Sequence, residues 1–96
     1  MADYSITIDS SGNPSPSTLN CKPGDKISWT NSYSQSISSF TLPTCVSPQT
    51  SPAPIAVSAT TRQYTVSSNA AGNYNYSYMV PGLQGGPRTG TVDVGN

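Results

Sequence analysis

The 96-residue chain contains no histidine and only four basic and four acidic side chains, so its formal net charge is zero. Because no basic patch can form from so few cations, nucleic acid is not an expected partner. Without histidine, the many serines lack the usual base that activates a hydroxyl nucleophile. The aspartates stand singly along the chain, which does not favour paired-carboxylate chemistry. We therefore expect that the protein is not an enzyme.

Long hydrophobic runs are also missing. No apolar stretch approaches the ~18 residues of a membrane helix, so we expect no membrane insertion. The first residues, MADYSITIDS, lack the basic and apolar regions of a signal peptide. We expect the chain to be soluble. Its abundance of Ser, Thr and Pro favours an extracytoplasmic or surface location, in which case the leader that directs export is absent from this sequence.

Cysteine is scarce, with Cys21 and Cys45 as the only two. A disulfide between them would close a loop and stabilise the fold by roughly 3.5 kcal/mol on the chain-entropy model. The alternative is that both are buried thiols that act as small hydrophobic side chains. We favour the disulfide, because Cys45 lies in a Ser/Thr/Pro-rich loop that could reach the end of a neighbouring strand.

The clearest pattern in the chain is alternation of apolar and polar residues, which predicts β-strands. Few good helix formers are available. We predict an all-β, antiparallel Greek-key β-sandwich of about seven or eight strands, in a single domain over residues 1–96. The alternating runs are Tyr4 to Ile8, Leu19 to Cys21, Ile27 to Trp29, Ile55 to Val57, Tyr64 to Val66, Tyr74 to Tyr78, and Val92 to Val94.

Local signals refine this prediction at three places. In the KPGD sequence, Pro23 presets φ and Gly24 permits a positive φ, so residues 22–25 should form a tight turn. The apolar parity changes between Ile37 and Leu42, which predicts a bulge or a switch between sheets. Residues 43–54 are rich in proline and should form an extended surface loop.

Three segments follow one another in a familiar order: KPGDKISWTN at residues 22–31, GNYNYSY at 72–78 and GTVDV at 90–94. Together they resemble the cupredoxins, the small blue-copper β-sandwich proteins. In that family a K-P-G-D turn leads to a strand that ends in W-x-N, and the penultimate strand reads G-x-Y-x-Y-x-C. The resemblance implies a cupredoxin-like sandwich and, at the level of the family, copper-dependent electron transfer.

The copper ligands of the family do not occur in this chain. Blue copper requires two imidazoles, a thiolate and a weak axial thioether. The resemblance places the first histidine near Ile37, the cysteine at Tyr78, the second histidine at Pro81 and the axial methionine at Arg88. All four ligand types are missing from these positions, so we predict a metal-free protein without a cofactor. A soft Cu(I) site built from both cysteines and Met79 ranks below no metal.

The end of the sandwich that carries this loop is the predicted binding surface. We expect Tyr33, Met79, Val80 and Leu83, with Arg88 nearby, to form an exposed apolar patch, and the resemblance implies that partners dock there. The main hypothesis is therefore a non-catalytic, metal-free binding or structural module with a protein or glycan partner. One alternative is a carbohydrate-binding surface domain that uses Tyr33 and the loop around Leu83. A copper-binding electron-transfer protein is the other.

Overall fold

A computed structural model describes residues 2–52, 54–82 and 87–95. The described residues form β-strands and connecting loops without a helix, which confirms the all-β prediction. None of them belongs to a helix that is long and apolar enough to cross a membrane. The strands in these ranges are β1 (Asp3–Ile8), β2 (Pro14–Ser15), β3 (Thr18–Cys21), β4 (Lys26–Asn31), β5 (Ser38–Thr41), β6 (Val46–Ser47), β7 (Tyr64–Val66), β8 (Gly72–Met79) and β9 (Arg88–Val94).

The strands form two packed sheets, as predicted for a sandwich. The first sheet has the order β2-β1-β4-β7-β6, and the second has the order β3-β9-β8-β5. Two pairs are parallel rather than antiparallel, namely β1 with β4 and β3 with β9. The chain leaves the first sheet after β2, returns through β3 in the second sheet, and re-enters the first as β4. Because of this crossing, β4 lies beside β1 and runs in the same direction.

The core lies between the sheets and is built by the alternating positions. Side chains on successive strand residues point to opposite faces, so every second residue of β1, β4, β8 and β9 faces inward. Trp29 is fully buried at the centre, where its indole meets Phe40, Tyr64 and Tyr76 edge-on at centroid distances of 5.1, 5.8 and 5.3 Å. Other buried residues from the two sheets are Ile6, Ile8, Ile27, Val66, Tyr78, Val92 and Val94.

The KPGD turn is tight, as predicted, and Gly24 has a φ of +89°. The buried Asp25 carboxylate accepts hydrogen bonds from the backbone N–H groups of Ala2 and Lys22, both at 2.9 Å. These bonds hold the pKa of Asp25 below its ordinary value. The turn thereby fastens the start of β1 beside the start of β4.

The predicted irregularity in residues 37–42 is a register shift between Ser38 and Thr41 in the pairing of β5 with β8. Ser39, between them, has a φ of +53°. β5 therefore has one more residue than β8 between these two pairs. This extra residue allows the odd-numbered Ile37 and the even-numbered Phe40 and Leu42 all to be buried.

Two strand predictions are wrong. Residues 43–54, expected to form a loop, contain the short strand β6, which pairs with β7 at the edge of the first sheet. Pro48 directly follows β6, and proline is tolerated there because an edge strand is hydrogen-bonded on one side only. Ile55 makes only an isolated bridge to Ile37, and Val57 is 49% exposed, so the expected strand at 55–57 is absent from the described structure. Alternation over three residues was too short a signal to separate a strand from a single bridge.

Candidate functional site

Tyr78, at the position of the family cysteine, is fully buried near the end of β8. Its side chain crosses from the second sheet to the β1–β2 turn of the first, where the hydroxyl donates a 2.9 Å hydrogen bond to the Gly12 carbonyl. Burial strongly raises the pKa of the phenol, the nearby Tyr76 and Asp9 add to this, and Arg88 opposes it. Tyr78 is therefore a neutral phenol that joins the two sheets.

A column of aromatic rings continues inward from Tyr78. Phe40 stacks on Tyr78 at 5.6 Å with an interplanar angle of 10°, and on Tyr76 at 5.9 Å with an angle of 7°. Burial raises the pKa of Tyr76 to about 12, an effect that the Trp29 indole partly offsets. The three rings fill the space beneath the loop that follows β8. The Tyr78 hydroxyl is bonded to Gly12, whereas the buried Tyr76 hydroxyl has no hydrogen-bond partner among the described residues.

Ile37, at the position of the first family histidine, is fully buried. Its backbone N–H and carbonyl exchange two 2.9 Å hydrogen bonds with the carbonyl and N–H of Ile55. The position is thus held by a rigid backbone pair and presents an aliphatic side chain, which offers no lone pair to a metal.

Pro81 and Arg88 occupy the remaining two family ligand positions. Pro81 is partly exposed, and its carbonyl accepts a 3.2 Å hydrogen bond from the Tyr33 hydroxyl. Arg88 starts β9 directly opposite Tyr78 and is partly buried. Its Nε atom is buried and has no hydrogen-bond partner among the described residues. This end of the sandwich therefore carries a fixed positive charge beside a neutral phenol.

These residues do not fit a copper ion. The Ile37 side chain and the Pro81 ring have no donor atom, and the Arg88 guanidinium is a cation, so none of them can serve as a ligand. The Tyr78 hydroxyl already donates its proton to the Gly12 carbonyl. Within residues 2–52, 54–82 and 87–95, no group of three or more His, Cys, Asp or Glu side chains could hold a metal. Cys21 pairs with Val94, and Val94 in turn pairs with Gly72 at the start of β8, whereas Met79 is at the end of that strand. Over the eight residues of β8, Cys21 and Met79 are roughly 20 Å or more apart, so they cannot bind one metal ion together.

The predicted apolar patch is largely wrong. Tyr33 is only 7% exposed and Val80 only 3%, while Met79 is 39% exposed. Tyr33 is buried because its N–H donates to the Asn31 Oδ1 at 2.9 Å and its hydroxyl reaches the carbonyl of Pro81, which draws the ring inward. Leu83 lies outside the described residues. Met79 and the partly buried Arg88 are the members of the predicted surface that reach solvent in the described part of the chain.

Asn31 organises this end of the molecule, a role that the sequence analysis did not assign. Its side chain is fully buried, and Nδ2 donates to the carbonyls of Gln35, Ile55 and Ala56 at 2.9, 3.0 and 3.3 Å. The available signal was its place at the end of the W-x-N strand. Asn31 lies two positions after the inward-facing Trp29 on the same strand, so its side chain points to the same side and its amide has to be satisfied within the protein.

Solved structures with the same arrangement of strands share little sequence with this chain. The reduced Cu(I) form of an amicyanin mutant is 15% identical, covers 97% of this chain and 82% of its own, and has a TM-score of 0.68. A purple cupredoxin from Nitrosopumilus maritimus is 20% identical over 97% of this chain and 100% of its own, with a TM-score of 0.67. This chain has the cupredoxin fold.

Amicyanin from Paracoccus versutus is a further cupredoxin structure of this kind, 17% identical over 97% of this chain and 81% of its own, with a TM-score of 0.55. No family model and no curated protein matches the sequence. At this level of identity the likeness establishes the cupredoxin fold alone, and function has to be argued from the residues at the site.

Proposed function

We propose that this cupredoxin-fold chain is a non-catalytic, metal-free module with a binding or structural role. The observation that carries the proposal is the buried Tyr78 phenol, bonded to the Gly12 carbonyl where the family has its thiolate ligand. A binding site for copper would need this space open and lined with soft donors. Here the aromatic rings of Phe40, Tyr76 and Tyr78 fill it, and the Tyr78 hydroxyl is already hydrogen-bonded.

Native mass spectrometry after incubation with Cu(I), Cu(II) and Zn(II) tests the metal-free part of this proposal. We expect the apoprotein mass with each metal and no intense visible band from thiolate-to-copper charge transfer. A variant with Ile37→His, Tyr78→Cys and Pro81→His serves as the positive control for detection. Stoichiometric copper on the unmodified chain would overturn the proposal and restore electron transfer as the leading function.

The binding part of the proposal concerns the end of the sandwich near Met79. This side chain is exposed, lies at the last position of β8, and is followed by the buried Val80 and the turn at Pro81 and Gly82. An exposed thioether is a flexible apolar contact that adapts to a partner surface. The burial of Tyr33 removes the aromatic ring on which carbohydrate binding would have depended, so we propose a protein partner at this end.

A photo-crosslinking amino acid in place of Met79 tests the location of the partner in cells of the source organism. Asn73 is the matched control, because it is exposed on the same strand near the opposite end. Protein adducts are expected at position 79 and not at position 73. Equal yields at both positions, or none at position 79, would contradict a docking role for this end.

A further inference from the structure

The two cysteines lie on different sheets at the end of the sandwich opposite Tyr78. Cys21 is the last residue of β3, an edge strand of the second sheet, and Cys45 directly precedes β6, an edge strand of the first. Both side chains are buried in the common hydrophobic core, and both thiols are free in this structure, so the predicted bridge is not formed here. A bond between them would tie two edge strands of opposing sheets together.

A short network of backbone hydrogen bonds fixes the segments that carry the two thiols. Gly24 in the turn after Cys21 donates to the Val66 carbonyl at 2.9 Å, and Val66 donates back to the Asp25 carbonyl at 2.8 Å. The next residue, Ser67, donates to the Cys45 carbonyl at 2.7 Å. Residues 66 and 67 therefore hold both cysteine segments at one place.

The thiols are also close enough to influence each other. Burial raises the pKa of Cys45 to about 11, and the charge of Cys21 adds to the effect. Burial is likewise the main cause of the raised pKa of Cys21. Each thiol is thus protonated near neutral pH, and a reagent has to reach one of them within the fold before exchange can start.

Access to the pair is one-sided. A cavity of about 270 Å³ opens beside Cys21 and is lined by Tyr4, Asn20, Cys21, Lys22, Asp93 and Gly95. Cys45 does not belong to this lining. Among the lining residues, Lys22 contributes a positive charge, Asp93 a negative charge and Asn20 an amide. This combination suits a small zwitterionic molecule that carries both ammonium and carboxylate groups.

We propose that the cavity receives a low-molecular-weight zwitterionic disulfide and that Cys21 and Cys45 form a reversible cross-link by exchange with it. Cys21 loses its proton, its sulfur attacks one sulfur of the reagent, and the reagent S–S bond breaks as a Cys21 mixed disulfide forms and one small thiol leaves. Cys45 then attacks the Cys21 sulfur, which releases the second small thiol. The protein gives up two electrons and two protons, and the reagent is reduced to two thiols.

Oxidised glutathione added to the reduced, folded protein tests the proposal by intact mass and thiol titration. We expect a product lighter by two hydrogen atoms, full reversal by dithiothreitol, and a melting temperature about 15 °C higher for the oxidised form. The Cys45→Ser variant should accumulate a stable Cys21 adduct, whereas Cys21→Ser should react at least about tenfold more slowly. Reaction only in denaturant, or equal rates for the two variants, would overturn the proposal.

A second variant tests the cavity without removing either thiol. In Lys22→Ala, exchange with oxidised glutathione should slow by roughly threefold because the carboxylates of the reagent lose an attractive charge. Exchange with the uncharged hydroxyethyl disulfide should keep the rate of the unmodified chain. If both reagents respond equally to Lys22→Ala, the cavity does not select the reagent and this part of the proposal fails.

Discussion

Gly90→Ala should be among the most damaging single-methyl additions to this protein. Gly90 lies opposite Tyr76 in the pairing of β8 with β9, and the Tyr76 ring folds over it. A Cβ at Gly90 would lie 2.2 Å from both Cζ and the hydroxyl oxygen of Tyr76. Ordinary carbon contacts need about 3.5 Å, so the ring has to move by roughly 1.3 Å or more.

The ring of Tyr76 has little room for such a movement. Phe40 stacks on it at 5.9 Å, and Trp29 packs edge-on at 5.3 Å. Overpacking of a filled core costs about 1–3 kcal/mol, and the rigid neighbours favour the upper end of that range. We therefore expect a loss of about 3 kcal/mol in the free energy of unfolding, measured by urea denaturation with Trp29 fluorescence as the probe.

Gly95→Ala is the matched control, because its added Cβ would have Cys21 O at 3.8 Å as its nearest neighbour, an ordinary contact. It should change stability by less than about 0.5 kcal/mol. In the Tyr76→Leu background, Gly90→Ala should lose at least about 1.5 kcal/mol of its cost, because the clashing ring is gone. A cost below about 0.5 kcal/mol for Gly90→Ala, or the full cost in the Tyr76→Leu background, would refute the reasoning.

Three further predictions concern the polar groups of the core. Tyr78→Phe leaves the Gly12 carbonyl without its buried donor and should cost about 1–2 kcal/mol in urea denaturation; no change would mean that water replaces the phenol. The pKa of the Cys45 thiol rises from 9.0 to about 11 on folding, so between pH 9 and pH 11 the unfolded chain binds fewer protons than the folded chain. The stability of the reduced protein should therefore fall as the pH rises through this range. Cys45→Ser should flatten that decline in a pH series of thermal melts, and an unchanged slope would contradict the assignment. Because the pKa of Asp25 is lowered on folding, its contribution is present above the ordinary value of 3.8 and is lost as the pH falls further. Asp25→Asn should therefore be less stable at neutral pH and less sensitive to acid, and an acid transition identical to that of the unmodified chain would count against this role.

The fold was predictable where the local chemistry leaves few choices. The period of two placed the inward faces of β1, β4, β8 and β9, because a strand has only two faces. The KPGD turn was recognisable from Pro23 and Gly24, whose backbone preferences act within four residues. The change of parity between Ile37 and Leu42 correctly indicated the irregular pairing of β5.

Features that depend on distant neighbours could not be predicted in this way. The parallel pairing of β1 with β4 follows from the crossing of the chain between sheets, which no local pattern records. The burial of Tyr33 depends on a hydrogen bond to Pro81, 48 positions away in the sequence. Val80 was expected in an exposed patch at the end of the sandwich, yet it is buried because the inward alternation of Tyr76 and Tyr78 continues through it.

By itself, the sequence determined an all-β sandwich through its period-two alternation, and the segments KPGDKISWTN, GNYNYSY and GTVDV carried the resemblance to cupredoxins. That resemblance also indicated the positions at which the histidine, cysteine and methionine of a blue-copper site are absent. These signals lie in short stretches of the chain and can be read in linear order. Only the tertiary structure decided that Tyr78 spans the core to Gly12, that Tyr33 and Val80 are buried, and that the two cysteine segments are bonded to the adjacent residues Val66 and Ser67. Such outcomes arise from contacts between residues far apart in the chain, and packing settles them only when both sheets are in place.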